Sequence, residues 1–181
     1  GLGDLQKAVN SLAYLTVDDN PKTIADESKK SKIELYDDPK QTGVYELIFN
    51  VVNDSNDKTL KYNLTDYTMT ESLSTSDPEY VAEKAYMLNP TTKAEVLSGA
   101  GNLVGTELTI NPKTTVKVKY TITLSKADKK YLEKSFVNGI YVEGFAVLES
   151  LNEDKIDLSI PFLAFYGDWT VAPMFDKTFY E

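Results

Sequence analysis

The chain of 181 residues contains no histidine, no cysteine and, among its 19 basic residues, no arginine. Without histidine or cysteine, no Ser-His-Asp or Cys-His arrangement can be assembled from this chain alone. Zinc or iron held by imidazole or thiolate is excluded for the same reason, and so is a disulfide framework. Paired carboxylates of the glycosidase kind remain open, but 28 acidic residues give no means of singling out a pair. No apolar run approaches the roughly 20 residues that a membrane-crossing helix needs, so membrane insertion is not expected. No charged-then-apolar leader opens the chain, and its first residues, "GLGDLQKAVN", begin abruptly. It therefore reads as a piece of something larger. Tryptophan occurs once, as Trp169.

What is present suits a folded domain. Apolar residues make up 41% of the chain, enough for a core at a length that buries roughly two thirds of the unfolded surface without a staple. The net charge of −9 argues against nucleic acid, because phosphate binding needs a basic surface. Its plainest meaning is solubility.

Strand periodicity dominates the middle and end of the chain. Tyr45, Leu47, Phe49 and Val51 share one face of "VYELIFNVVN", and Leu60, Tyr62 and Leu64 share one face of "LKYNL". The clearest alternation is Val116, Val118, Tyr120, Ile122 and Leu124 against Lys117, Lys119, Thr121 and Thr123, one face dry and one wet. "KIELYDD", "IYVEGFAVLES" and "IDLSIPFLAFYG" are further strands. Pro161 cannot donate to a ladder, so the last strand is expected to be an edge there or to be ending. Two helices are predicted. One runs over 4–14, capped by Asp4. The other, over 125–136, opens with Ser125 as its cap and Asp128 three residues on, with Ala127, Tyr131, Leu132 and Phe136 as its stripe. Residues 16–31 read as a linker. "DPEYVAEKAYML" has a helix opening at Asp77-Pro78 but is read as an edge strand through Tyr86 and Leu88, and "GAGNLVG" as a loop that lacks the setting of a phosphate loop. The sequons at Asn53 and Asn63 are ordinary turn composition. Short, one-sided strands separated by turns describe an all-β, antiparallel sandwich with one short inserted helix.

The motif "FVNGIYVEGFAVLES" followed by "DLSIPFLAFYGDWTVAPMFD" resembles the fibronectin type III-like domain that follows the catalytic domain in bacterial cell-envelope subtilisin-like serine proteases of the lactocepin type. The matching positions are Asn138, Gly139, Glu143, Gly144, Pro161, Gly167, Asp168, Trp169 and Pro173, with Ala172 and Asp176. The resemblance covers nearly the whole chain. It implies that 1–30 are the end of a protease domain and a linker, 31–172 the sandwich, and 173–181 a linker to a following domain. It also implies a non-catalytic supporting role in a secreted or wall-associated bacterial protein, with the neighbouring domains of the same polypeptide and the parent's protein substrates as partners. No cofactor and no metal are expected, and the acidic group Glu153, Asp154 and Asp157 reads as a solvated turn. Trp169 and Phe175 are expected to cover the open end of the core or a neighbouring domain, and Glu143 to bond the Asn138 turn. An immunoglobulin-like carbohydrate-binding or adhesin module is the alternative. Exposed, coplanar aromatics would favour it.

Overall fold

The computed structural model describes residues 9–18, 31–76, 81–153 and 155–171. Their strands, in chain order, are β1 (Ala13–Thr16), β2 (Ile33–Asp37), β3 (Val44–Asn53), β4 (Leu60–Leu73), β5 (Val81–Met87), β6 (Thr91–Ser98), β7 (Gly101–Val104), β8 (Glu107–Ile110), β9 (Thr114–Thr123), β10 (Ile140–Ser150) and β11 (Leu158–Tyr166). One helix, α1 (Lys126–Ser135), joins β9 to β10.

Two sheets result. A four-stranded sheet runs β1-β3-β9-β6, and a seven-stranded sheet runs β2-β11-β10-β4-β8-β7, with β5 also on β4. Strand β4 is long because both its ends are used. Leu60–Asn63 pair with β8, Met69–Leu73 pair with β5, and β10 lies along the opposite edge. The inward residues of β3 and β9 interleave with Leu60, Tyr62 and Leu64 of β4, Val142 and Leu148 of β10, and Ile160 and Phe162 of β11 in one buried cluster. Alternation places every second residue of each strand there, and each large side chain so buried contributes roughly 1.5–3 kcal/mol.

The sandwich is therefore as the strand patterns require, with several local differences. Ala13 and Tyr14 are strand, not helix, because their backbone pairs with Asn53 and Val52. Of the rest of that expected helix, Val9 is helical and Asn10 a turn, while 4–8, with the expected cap Asp4, lie outside the described residues. "GNLV" is strand β7 rather than loop, since its Gly101 lets β7 pass close to Val116. A Cβ there would lie 2.6 Å from a Val116 methyl. The edge strand expected through Tyr86 and Leu88 is present as β5 but ends at Met87, Asp77 and Pro78 lie outside the described residues, and β6, which no pattern marks, pairs with β9. One pairing is parallel, β2 on β11. Pro161 sits where that ladder has not begun, for β2 pairing starts at Phe162. β11 is thus an edge at Pro161 but does not end, and it runs on to Tyr166 between two neighbours.

Helix α1 begins as its sequence dictates. The Ser125 hydroxyl accepts from the Asp128 N–H at 3.1 Å, and Asp128 Oδ2 accepts from the Ser125 N–H at 2.9 Å. Asp128, not Ala127, faces inward, because its other oxygen accepts the Asn89 N–H at 3.0 Å. The Asn53 sequon is closed to modification. Asn53 is fully buried, and its amide donates to the carbonyls of Lys58, Ile110 and Asn111.

Candidate functional site

The two outer faces of the sandwich differ in chemistry. On the four-stranded sheet, Lys119 reaches both Glu95 (2.9 Å) and Glu46 (3.3 Å), Lys93 adds to Glu95, and Lys117 holds Asp18 at 2.6 Å. Mutual pairing lowers the Glu95 and Asp18 carboxyls and raises the Lys119 ammonium. This is a charge-laced face suited to water.

The outer face of the seven-stranded sheet carries aromatic and aliphatic side chains instead. The register places Phe145 between Tyr67 and Pro161, and Glu143 between Met69 and Leu163, while Met69 faces Met87 and Tyr141 faces Phe165. Tyr67 is 51% exposed, Met87 53% and Phe145 42%. Glu143 lies among them, exposed and without a hydrogen-bond partner among the described residues. It does not bond the Asn138 turn. Residues 139–142 lie between the two, and β10, which begins at Ile140, carries Glu143 away from the turn.

At the β2 end this face closes into a pocket of about 290 Å³, lined by Glu34, Tyr36, Asp37, Tyr141, Leu163, Ala164, Phe165 and Trp169. Here Trp169 corrects the expectation of a core plug. It is 56% exposed and lies on the outside of the sheet, edge-on to Phe165 (83°, 5.1 Å) and tilted 40° to Tyr141. The reason is that the inner end of the core is already filled by Ala164 and Tyr166, so the chain leaves β11 outward. Trp169 is held by its backbone, whose N–H donates to Asp37 Oδ2 at 2.9 Å. The turn beneath it is set by Asp168, whose Oδ1 accepts from the hydroxyl (2.6 Å) and N–H (2.9 Å) of Thr170. Those bonds, the hydroxyl's first, hold the Asp168 carboxyl below the usual carboxylate range.

The motif glycines build this corner. Gly139 (φ +87°) forms the turn under the Phe165 ring, which a Cβ would approach to 2.7 Å. Gly144 lies against β4, where a Cβ would meet the Tyr67 carbonyl oxygen at 1.8 Å. Asn138 and Gly167 flank the same corner, while Pro173, Phe175 and Asp176 lie outside the described residues. Sequence reasoning missed Glu34, Tyr36, Asp37, Tyr141 and Tyr67. A signal existed in "IYVEGFAV": the outward set of β10 carries Tyr141, Phe145 and Val147 beside Glu143, whereas a half-solvated strand should have a mostly polar outer set.

No group of three acidic residues positioned to hold a metal occurs among the described residues, and Asp154 lies outside them. Asp157 instead closes the β10–β11 loop, accepting the Ser150 N–H at 2.7 Å. No described helix is long and apolar enough to cross a membrane.

The fold and its motif corner define a fibronectin-like sandwich, and residues 40–163 match the family described as "Fn3-like domain". The chain belongs to that family. It is also 26% identical over 177 residues to the PI-type proteinase of Lactococcus lactis subsp. cremoris, and 25% identical over the same length to the PII-type proteinase of Lacticaseibacillus paracasei. Each alignment covers 98% of this chain and 8% of the relative, so the chain corresponds to one part of a far longer protein. Among solved structures, a PapD-like domain of human CEP192 shares 10% identity at a TM-score of 0.38, covering 82% of this chain and 95% of that one.

Proposed function

We propose that this chain is a non-catalytic accessory domain of a secreted, wall-associated subtilisin-like serine proteinase of a bacterium, and that it supports the neighbouring domains of the same polypeptide through the outer face of its seven-stranded sheet. The asymmetry between the two outer faces carries the reading. A solvated spacer needs no contiguous field of Tyr67, Met69, Phe145, Leu163 and Trp169, whereas a packing surface does. Homology to proteinases over nearly the whole chain supports the setting. In this reading the residues before β1 finish the preceding protease domain, β1 already belongs to the sandwich that 31–172 complete, and 173–181 lead to the next domain. Peptide-bond cleavage by a Ser-His-Asp triad belongs to the parent, as do its protein substrates, and the role here is to hold and space. The carbohydrate reading loses its main support, because the exposed rings of Tyr141 and Trp169 are tilted 40° to one another rather than coplanar.

The test is a longer protein that includes the preceding domain. Hydrogen exchange and oxidative footprinting should show Tyr67, Phe145 and Met87 protected there and open in the chain alone. The double substitution Tyr67→Ser, Phe145→Ser should leave the isolated chain folded and loosen the longer protein. Equal labelling of this face in both contexts would refute the reading.

A further inference from the structure

The pocket beside Trp169 has a construction that packing against a flat surface does not require. In a regular strand, side chains alternate, so Glu34 and Tyr36 would share one face of β2 and Asp37 would take the other. Here all three line one pocket. A bulge puts Glu34 and Asp37 on the same face: the register with β11 runs Leu163 to Glu34, Ala164 to Tyr36 and Phe165 to Asp37, skipping Leu35. Tyr36 adopts φ +59°, a conformation that is unfavourable for a bulky residue and that recurs where a side chain must be aimed. The opposite wall is equally fixed. Trp169 is tied to Asp37 through its N–H, and Tyr141 and Phe165 brace its ring.

The contents of the pocket select a cation. Open aromatic surface from Tyr36, Tyr141 and Trp169 attracts positive charge through the ring quadrupole. Both charged groups in the lining are carboxylates, and an ammonium already sits on one of them: Lys32 Nζ is 2.6 Å from Glu34 Oε1. A volume of about 290 Å³ lies at the small end of ligand sites, the scale of one side chain rather than of an oligosaccharide. A guanidinium, flat and weakly hydrated, stacks on aromatic rings and meets a carboxylate edge-on better than an ammonium does. This chain has no arginine of its own.

We propose that the pocket formed by Glu34, Tyr36, Asp37, Tyr141, Phe165 and Trp169 binds an arginine side chain presented by another polypeptide segment. The chemistry is the same whether that segment is a neighbouring domain or a separate polypeptide, and it does not depend on the docking of the wider sheet face.

The 181-residue chain can be titrated with acetyl-Gly-Arg-Gly-amide, its lysine counterpart and its citrulline counterpart, the last being a neutral isostere. The readout is the emission of Trp169, the sole tryptophan. The arginine peptide should give a saturable change, weakened by salt, and bind about threefold tighter than lysine and about tenfold tighter than citrulline. Asp37→Asn keeps an oxygen for the Trp169 N–H and removes the charge, so it should weaken the arginine peptide about three- to tenfold while circular dichroism stays unchanged. Equal binding of arginine and citrulline, no saturable change, or a response to a neutral oligosaccharide in place of the arginine peptide would overturn the proposal. A protein extended through the preceding domain separates the sources. Lost peptide binding with blue-shifted Trp169 emission assigns the arginine to the neighbouring domain. Retained binding with unshifted emission assigns it to a separate polypeptide, and would also count against docking of the sheet face at this end.

Discussion

Gly144 has no room for a side chain. With the Tyr67 carbonyl oxygen 1.8 Å from where a Cβ would stand, Gly144→Ala must part β10 from β4 in the middle of the seven-stranded sheet. Urea denaturation should show a loss of about 3 kcal/mol or more, beyond the usual range for overpacking, because a backbone atom cannot swing aside as a side chain does. Trp169 is the opposite case. Its ring is more than half exposed and its hold on the fold is through backbone, so Trp169→Ala should lower stability by only about 1 kcal/mol or less. A fully buried tryptophan would lose about 3–5 kcal/mol. The emission of the chain should be red-shifted and readily quenched by acrylamide, and a blue-shifted, protected emission would contradict the exposure seen here.

At the scale of elements, α1 shows how a short helix is fixed within a β-protein. Ten residues are too few for a stable helix in water, so its ends and one buried face decide it. The capping box at Ser125 satisfies its start, Leu132 buries its middle, and Tyr131 stacks on Tyr86 of β5 at 3.8 Å. At the far side the Tyr166 hydroxyl donates to Glu133 at 2.8 Å, tying the helix to β11. Ser125→Ala should destabilise the domain by about 1 kcal/mol, read as a lower urea midpoint with an unchanged slope. A fall in the slope would instead mean that α1 unfolds separately from the sandwich.

For the molecule as a whole, the buried tyrosines set its response to alkali. Burial pushes the Tyr62 phenol up to about 12, with Asp157 adding to it, and also raises Tyr45, Tyr120 and Tyr166. A phenol whose folded-state pKa is raised stabilises the fold fully below its unfolded value of about 10. That stability is lost as pH rises from there through the folded value. Stability should therefore be flat around neutrality as far as tyrosine is concerned and fall steeply between about pH 10 and pH 12. Ultraviolet titration of the twelve tyrosines should show Tyr45, Tyr62, Tyr120 and Tyr166 ionising only with loss of structure. A single smooth titration of all twelve near the ordinary value would contradict this.

The amino-acid sequence by itself determined the all-β class, the inward faces of β3, of the start of β4 and of β9, and the capping box of α1. Each rests on local chemistry or on a period of two that a single chain displays. The absence of histidine and cysteine likewise removed nucleophilic triads without any structure. Tertiary structure alone decided the rest. Ala13–Tyr14 and Gly101–Val104 became strands because partners far along the chain supplied their hydrogen bonds, which local propensity does not register. The bulge at Tyr36 brought Glu34 and Asp37 into one pocket with Trp169, more than a hundred residues further along the chain. The side of the sheet on which Trp169 lies was settled by which residues had already filled the core. An aromatic cluster reads the same in sequence whether it plugs an interior or faces outward, and only the three-dimensional path of the chain out of β11 distinguishes the two.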